Sequence, residues 1–189
     1  GKYPVEHCFE TPNLHVLNDA LAPFQMRICF MAEYFLPDLA ELTEQKAERL
    51  KKQAGEKGLV FRLFHAEDFE GLYTKEWSNA LCEKRRELDV LGVGVYDAGK
   101  LAGLAGCSAD CENMWQIGVD VLPEYRRKGI ACAMTAVLAM EILKRNRVPF
   151  YCAAWSNIKS VRNAIKAGFR PAWVEMTAKS VKCVEEMNR

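Results

Sequence analysis

The sequence predicts one α+β domain in which helices cover a mainly antiparallel β-sheet. Three strand-like segments lie between residues 90 and 121, and a glycine-containing turn joins the first two. A helix–strand–helix succession then occupies residues 129 to 168, and another strand-like segment follows it. A chain of 189 residues is long enough for one domain with a substantial core.

Residues 1–58 are predicted to form an extension that packs on this core. Residues 24–31 show partial alternation of apolar and polar side chains, consistent with a strand. Asp38 can cap a helix, and apolar residues recur behind it at helical spacing until Gly55 and Gly58 end the pattern. This amphipathic helix would present solvated Glu and Lys on its other face.

The domain proper is assigned to residues 59–189, and its elements follow in order. Residues 59–64 are rich in strand formers, and residues 66 to about 88 are expected to be helical, with room for a break. The expected meander occupies residues 90–96, 101–107 and 114–121. Helices are expected over residues 129–145 and 157–167, with a short strand over 148–155 between them and the closing strand over 169–178.

Charge and hydropathy exclude several classes of partner. The formal charge is +1, which disfavours nucleic acid and anionic membranes as main partners. No stretch approaches the ~20 apolar residues of a membrane span, and the N-terminus lacks the layout of a secretory signal. We therefore expect a cytoplasmic protein, monomer or homodimer, that acts on a small molecule.

Eight cysteines are scattered along the chain without a C-x-x-C pair. Only Cys107 and Cys111 lie close together, and the three histidines are distant from them in sequence. Reduced thiols, several of them buried, are therefore expected rather than a metal site. A redox or metal role for Cys107 and Cys111 stays open as a weaker alternative.

The most informative stretch, residues 119–134, is a strand that turns into a helix through a basic loop containing glycine. The first N–H groups of a helix have no intrahelical partner and carry partial positive charge, so a pyrophosphate can bind there. Gly129 and Ala131 allow a close approach to the backbone. Nearby charge comes from Arg126, Arg127 and Lys128.

Two motifs in this half of the chain resemble those of the GCN5-related N-acetyltransferase (GNAT) superfamily. Residues 126–131 match Q/R-x-x-G-x-G/A in full, and the second motif is matched by Asn157, Ser160, Gly168 and Phe169. The resemblance covers residues 59 to about 178. It implies a three-layer α/β sandwich whose mixed, mostly antiparallel sheet has splayed central strands, with acetyl-CoA (coenzyme A) in the gap.

The same resemblance implies a set of cofactor-binding positions. Backbone groups of Val119 and Val121 would pair with the pantetheine arm, and the Val119 N–H lies where the family polarises the thioester carbonyl. Asn157 and Ser160 would contact the cofactor from the other side, although Asn157 is equally suited to cap a helix. The pyrophosphate would lie on Arg126, Arg127, Lys128, Gly129, Ile130, Ala131 and Cys132.

Catalytic side chains are harder to assign, because the tyrosine that usually serves as general acid in the family corresponds to Ala164 in this sequence. Tyr125, Tyr151 and Cys152 are possible substitutes. For the base, Asp110 and Cys152 are candidates, although a turn aspartate often caps its own backbone and a cysteine is often a buried apolar residue. Trp115 and Trp155 would line the acceptor pocket or belong to the core.

The sequence therefore predicts an N-acetyltransferase that moves the acetyl group of acetyl-CoA to a small-molecule amine by direct attack in a ternary complex. The missing tyrosine keeps a second hypothesis open, which is a non-catalytic acyl-CoA-binding sensor or interaction module.

Overall fold

The computed structural model describes residues 14–55 and 58–187, and within them one sheet of seven strands. The strands are β1 (Met26–Pro37), β2 (Val60–His65), β3 (Asp89–Asp97), β4 (Lys100–Ser108), β5 (Met114–Val121), β6 (Val148–Ala154) and β7 (Phe169–Ser180). The α-helices are α1 (Leu14–Leu21), α2 (Glu44–Gly55), α3 (Ile130–Leu143), α4 (Ile158–Ala167) and α5 (Val181–Met187). No helix in these residues is both long and apolar enough to cross a membrane.

Strands β3 to β5 form the antiparallel meander that the sequence predicts, and β2 pairs antiparallel with β3 at its outer edge. The β3–β4 turn places Ala98 and Gly99 in consecutive left-handed conformations, with φ of 46° and 85°. Such a turn matches the right-handed twist of the strands that it joins. The predicted hairpin is confirmed.

Strand β1 lies inside the sheet, between β6 and β7, and pairs antiparallel with both. The alternation in residues 24–31 therefore does mark a strand. Because β1 supplies an interior row of hydrogen bonds, the segment that the sequence analysis separated as an extension contributes directly to the sheet.

Strands β5 and β6 pair in parallel only over Met114–Ile117 and Val148–Tyr151. Beyond this point β5 remains paired with β4 through Val121, and β6 remains paired with β1 through Ala154. A wedge-shaped gap thus opens in the middle of the sheet. The splayed central strands expected from the resemblance are confirmed.

Helices α2, α3 and α4 cover one face of the sheet. Helix α3 is apolar on all sides because it packs between α2, α4 and the strands, and nine of its fourteen residues are buried. The core on this face includes Phe35, Ile117 and Tyr151, which come from three different strands.

The predicted helix over residues 66–88 is wrong. Three short 3₁₀ segments, Ala66–Phe69, Lys75–Trp77 and Glu83–Leu88, cross the other face of the sheet instead. Gly71 follows the first segment with φ of +83°, which interrupts a right-handed helix. Phe69 and Trp77 pack against Phe64 and Leu104 in a second core, so tertiary packing, rather than helical hydrogen bonding, holds this segment.

Helix α2 begins later than the sequence suggests. Asp38 forms a local turn in which its Oδ1 accepts a hydrogen bond from the Ala40 N–H at 3.1 Å. The Thr43 Oγ1 accepts from the Lys46 N–H at 3.2 Å and so caps the helix itself.

Replacement of Gly118 by alanine is expected to destabilise the fold by about 1–3 kcal/mol through overpacking. A Cβ at this position would lie 1.8 Å from the Asn79 carbonyl oxygen, which is backbone and cannot rotate away. Chemical denaturation of Gly118→Ala measures the loss. Gly55→Ala is the control, since a Cβ there meets nothing within 4 Å; equal stability of the two variants would contradict the packing argument.

Candidate active site

The backbone groups of β5 define one wall of the gap. The Leu122 N–H donates to the Ala102 carbonyl at 3.0 Å, which sets the hydrogen-bonding phase of the β4–β5 ladder. Alternate residues of an antiparallel strand direct their N–H and C=O groups to opposite sides. Asp120 therefore bonds toward β4, whereas Val119 and Val121 direct their backbone groups into the gap. This is the orientation that pairing with a pantetheine arm requires.

Arg126 connects the loop after β5 to this wall. Its Nε donates a hydrogen bond to the Val121 carbonyl at 3.0 Å. The guanidinium therefore lies at the mouth of the gap and is held against the strand. Arg126, which is predicted to bind the cofactor, thus also stabilises the end of β5 through this hydrogen bond.

The loop from residue 127 to the start of α3 has the conformation of an anion-binding nest. Arg127 and Gly129 have φ of 60° and 83°, and a Cβ on Gly129 would meet nothing within 4 Å. The Ala133 N–H donates a hydrogen bond to the Gly129 carbonyl at 3.0 Å and so closes the first turn of the helix. The N–H groups that precede Ala133 lie in the first turn, where a helix provides no acceptor.

Two hydrogen bonds fix this loop to the β3–β4 hairpin, and a cation–π contact lies within the loop itself. The Tyr125 hydroxyl donates to Asp97 at 2.9 Å, and the Lys100 Nζ donates to Glu124 at 2.8 Å. The Lys128 Nζ lies 4.9 Å from the centre of the Tyr125 ring. The hydrogen bond to Asp97 raises the pKa of Tyr125, so the structure uses this hydroxyl as a brace for the loop.

Asn157 caps α4, since its side-chain oxygen accepts a hydrogen bond from the Ser160 N–H at 3.2 Å. The Ser160 hydroxyl lies 2.9 Å from the Tyr151 hydroxyl. The cap that the sequence analysis weighed for Asn157 is therefore present. Ser160 links the beginning of α4 to β6 at the last rung before the gap.

A buried polar network continues from Tyr151 to α3. The Asn163 Nδ2 donates to the Thr135 Oγ1 at 3.0 Å, and Thr135 in turn donates to the Ala131 carbonyl at 2.8 Å. Burial raises the pKa of Tyr151. Ala164, where the family has tyrosine, is fully buried beside this network. The network fixes the first turn of α3, and hence the nest, relative to the gap.

The face of β6, β1 and β7 that points away from the helix-covered core carries a group of side chains that we name the Tyr34 cluster: Tyr34, Phe150, Cys152, Trp173 and Glu175. Tyr34 stacks on Trp173, with ring centres 5.0 Å apart, and more loosely on Phe150 at 6.1 Å. The Tyr34 hydroxyl donates to the Glu175 Oε2 at 2.8 Å. Cys152 is the cross-strand partner of Tyr34.

The pKa values of both Tyr34 and Cys152 are raised, chiefly by burial, and the bond to Glu175 raises that of Tyr34 further. Both groups are therefore neutral proton donors at physiological pH. Among these five residues, only Cys152 is predicted from the sequence as a site residue. No sequence signal could have found the other four, because they converge only when β1 enters between β6 and β7.

Asp120 holds the 66–88 segment against the edge of the gap. Its Oδ2 accepts from the N–H groups of Asn79 at 2.8 Å and Ala80 at 2.9 Å, and its Oδ1 accepts from the Asn79 Nδ2 at 2.7 Å. Because Val119 and Val121 pack on the helix-covered core, Asp120 faces the opposite side, which is also the side of the Tyr34 cluster.

The remaining predicted site residues lie in varied places. Asp110 forms an ion pair with Arg85 and precedes β5, at the opposite end of that strand from Val121. Trp115 packs against the helix-covered core. Trp155 lines a shallow pocket just after β6, together with Phe30 and other residues. Of the four residues predicted as catalytic or substrate-lining, only Cys152 belongs to the Tyr34 cluster.

The two neighbouring cysteines do not form a disulfide. Cys107 is buried, which raises its pKa to about 12, whereas Cys111 is exposed and accepts a hydrogen bond from the Met114 N–H at 3.2 Å. Within residues 14–55 and 58–187, no three His, Cys, Asp or Glu side chains come together as metal ligands would.

Comparison with known families identifies this arrangement. A family model described as GNAT acetyltransferase matches residues 28–173, a range that includes both signature motifs and nearly all of β1. The chain belongs to the GNAT acetyltransferase family. The match begins well before residue 59, so the family likeness extends further toward the N-terminus than the two motifs indicate.

Solved structures agree with this GNAT fold. A GCN5-related N-acetyltransferase-like protein from Streptococcus suis is 21% identical, with a TM-score of 0.65 over 90% of this chain and 68% of its own. A GCN5-related N-acetyltransferase from Kribbella flavida is 18% identical, with a TM-score of 0.54 over 86% and 61%. A Drosophila protein is 14% identical, with a TM-score of 0.57 over 91% and 58%.

The GNAT chain thus spans about three fifths to two thirds of the length of these structures. At such identities the likeness concerns the fold alone. No protein with a curated description matches the sequence significantly, so the acceptor has to be argued from the site.

Replacement of Asp120 by asparagine is expected to loosen the 66–88 segment, because an amide has one acceptor oxygen where the carboxylate has two. The expected loss of unfolding free energy is about 1–2 kcal/mol. Hydrogen exchange at the Asn79 and Ala80 amides should accelerate. Asp19→Asn, an exposed change on α1, is the matched control; unchanged exchange in Asp120→Asn would show that other contacts hold the segment.

Proposed function

We propose that this GNAT protein transfers an acyl group, by default acetyl, from acyl-coenzyme A to an amine of a small molecule, by direct attack in a ternary complex. One observation carries the proposal: the gap between β5 and β6 opens beside the nest at the start of α3. An extended ligand with a pyrophosphate at one end fits this combination of a peptide-like wall and an anion site.

The chain offers a defined group for each part of such a cofactor. Amides from Arg127 to Cys132 would hold the pyrophosphate, and the backbone groups of Val119 and Val121 that face the gap would pair with the pantetheine arm, with Arg126 sharing the Val121 carbonyl. The positive charge of Arg127 and Lys128, both exposed, favours the anionic end. Asn157 and Ser160 support the opposite side through the cap of α4.

The same wall supplies the electrostatic part of catalysis. The Val119 N–H points into the gap and would donate a hydrogen bond to the acyl oxygen, where negative charge develops during attack. Acyl-CoA supplies an activated thioester, whose thiol has an unperturbed pKa of about 8.5 and therefore leaves readily. No side chain on β5 is required for this role.

A small acceptor fits the charge of the chain, which at +1 provides no large acidic surface for a basic protein tail. The seven cysteines in the described residues are unpaired. Free thiols are typical of a reducing compartment, which supports a cytoplasmic location as part of this proposal.

A non-catalytic acyl-CoA-binding module is the second candidate. The position at which the family usually has a tyrosine as general acid is occupied by Ala164, which is fully buried. Asp110, a candidate base, forms an ion pair with Arg85. Such a module would bind acyl-CoA in the same gap without turnover.

Gly129→Trp is expected to abolish micromolar binding of acetyl-CoA, because an indole in the nest fills the space that the pyrophosphate needs. Calorimetry on the wild type and the variant measures this loss. Gly71→Trp is the matched control: its φ is the same +83°, and a Cβ there also meets nothing within 4 Å. Both variants bear similar backbone strain, of order 1–3 kcal/mol.

Loss of binding in both variants would trace the effect to folding rather than to the nest. Absence of binding in the wild type would contradict the proposed cofactor.

Acetyl-CoA incubated with a panel of primary amines is expected to release free thiol in a one-to-one ratio with N-acetyl product. Thiol detection and mass spectrometry of the amines measure the two products. Micromolar binding of acetyl-CoA without thiol release from any amine would support the non-catalytic module instead.

A further inference from the structure

We propose that the Tyr34 cluster is the acceptor subsite, and that it takes a small primary amine that carries positive charge on an apolar body. Tyr34 and Glu175 hold the ammonium and remove its proton, while Trp173 and Phe150 hold the apolar part. This inference rests on the proposed function, since it places the acceptor beside the thioester in the gap.

Tyr34 lies beside the open end of the gap. The β5–β6 ladder ends at Tyr151, so Cys152 is the first residue of β6 beyond the last closed rung. Tyr34 lies directly across from Cys152 on β1, and cross-strand neighbours have Cβ atoms about 4.5–5.5 Å apart. The Tyr34 ring therefore lies one strand away from the open end of the gap.

Tyr34 also lies on the face of the sheet opposite the helix-covered core. Phe35 and Tyr151 point into the helix-covered core, so Tyr34 and Cys152, which alternate with them, face the opposite side. On that side the Asn79 loop, held by Asp120, borders the gap from β5. An acceptor can therefore enter between the Asn79 loop and the Tyr34 cluster.

The chemistry of the cluster selects a cation. Trp173 leaves 42% of its surface exposed although it stacks on Tyr34, and exposed aromatic faces attract ammonium groups. Glu175 adds a carboxylate within 2.8 Å of the Tyr34 hydroxyl. Strand β6 has no charged residue, and Arg170 lies opposite Leu36, the next residue on this face of β1. The Glu175 carboxylate is thus the charged group that contacts the Tyr34 side chain.

The pair also provides a route for the proton that an ammonium must lose before attack. The Tyr34 oxygen accepts a proton from the ammonium while the Tyr34 hydroxyl passes its own proton to Glu175. The neutral amine then forms the C–N bond to the acyl carbon as the C–S bond breaks, and its second proton goes to the departing thiolate. Glu175 finally releases its proton to solvent, so that atoms and charges balance.

The proposal is tested by calorimetry with three probes of similar shape on protein saturated with coenzyme A: 2-phenylethylamine, 2-phenylethanol and 3-phenylpropionate. The wild type is expected to bind the amine about tenfold more tightly than the alcohol, and the acid most weakly. Glu175→Gln should remove the preference for the amine and leave the affinity for coenzyme A unchanged. Glu185→Gln, an exposed change on α5, is the matched control and should keep the preference.

Tyr34→Phe separates binding from proton transfer, because it keeps the ring and removes the hydroxyl. It is expected to retain the preference for 2-phenylethylamine and to lower kcat for acetylation of this amine about 100-fold or more. Equal binding of the amine and the alcohol by the wild type, or an unchanged preference in Glu175→Gln, would overturn the subsite. These outcomes differ from failure of the proposed function, in which coenzyme A itself does not bind.

Discussion

The structure depends on the point at which β5 and β6 part, immediately after Ile117 and Tyr151. Interior strands normally satisfy their backbone groups on both sides, and unpaired groups away from water are costly. Here each strand keeps one partner, β4 on one side and β1 on the other. Each strand is thus held by a partner outside the gap, and the N–H and C=O groups that line the gap are oriented for the proposed pairing with a ligand that has amide groups of its own.

Strand β1 makes this arrangement stable. It pairs with β6 through the opened part of that strand and with β7 along nearly its whole length. Without it, β6 would have a free edge next to the gap. The same strand carries Tyr34, so the element that supports the opened strand also brings the aromatic ring and, through β7, Glu175 next to the gap. Support of the fold and the proposed recognition of the acceptor are thus joined in one strand.

The two faces of the sheet serve different purposes. On one face, α2, α3 and α4 form a dry core, and the network from Thr135 to Ser160 fixes the nest relative to β6. On the other face, the 66–88 segment is held by Asp120 and by the close approach of its backbone to Gly106 and Gly118. This segment leaves β6, β1 and β7 accessible, which is where the acceptor subsite is proposed.

The sequence by itself determined what is encoded locally: the β3–β4 turn, the loop at Gly129 that starts α3, the cap at Asn157 and the end of α4 at Gly168. Each depends on a backbone conformation or a hydrogen bond within a few residues. Only the tertiary structure decided the place of β1, the irregular 66–88 segment and the meeting of Tyr34 with Glu175, 141 residues later. Strand order and packing between distant segments leave no periodic signal in either segment alone.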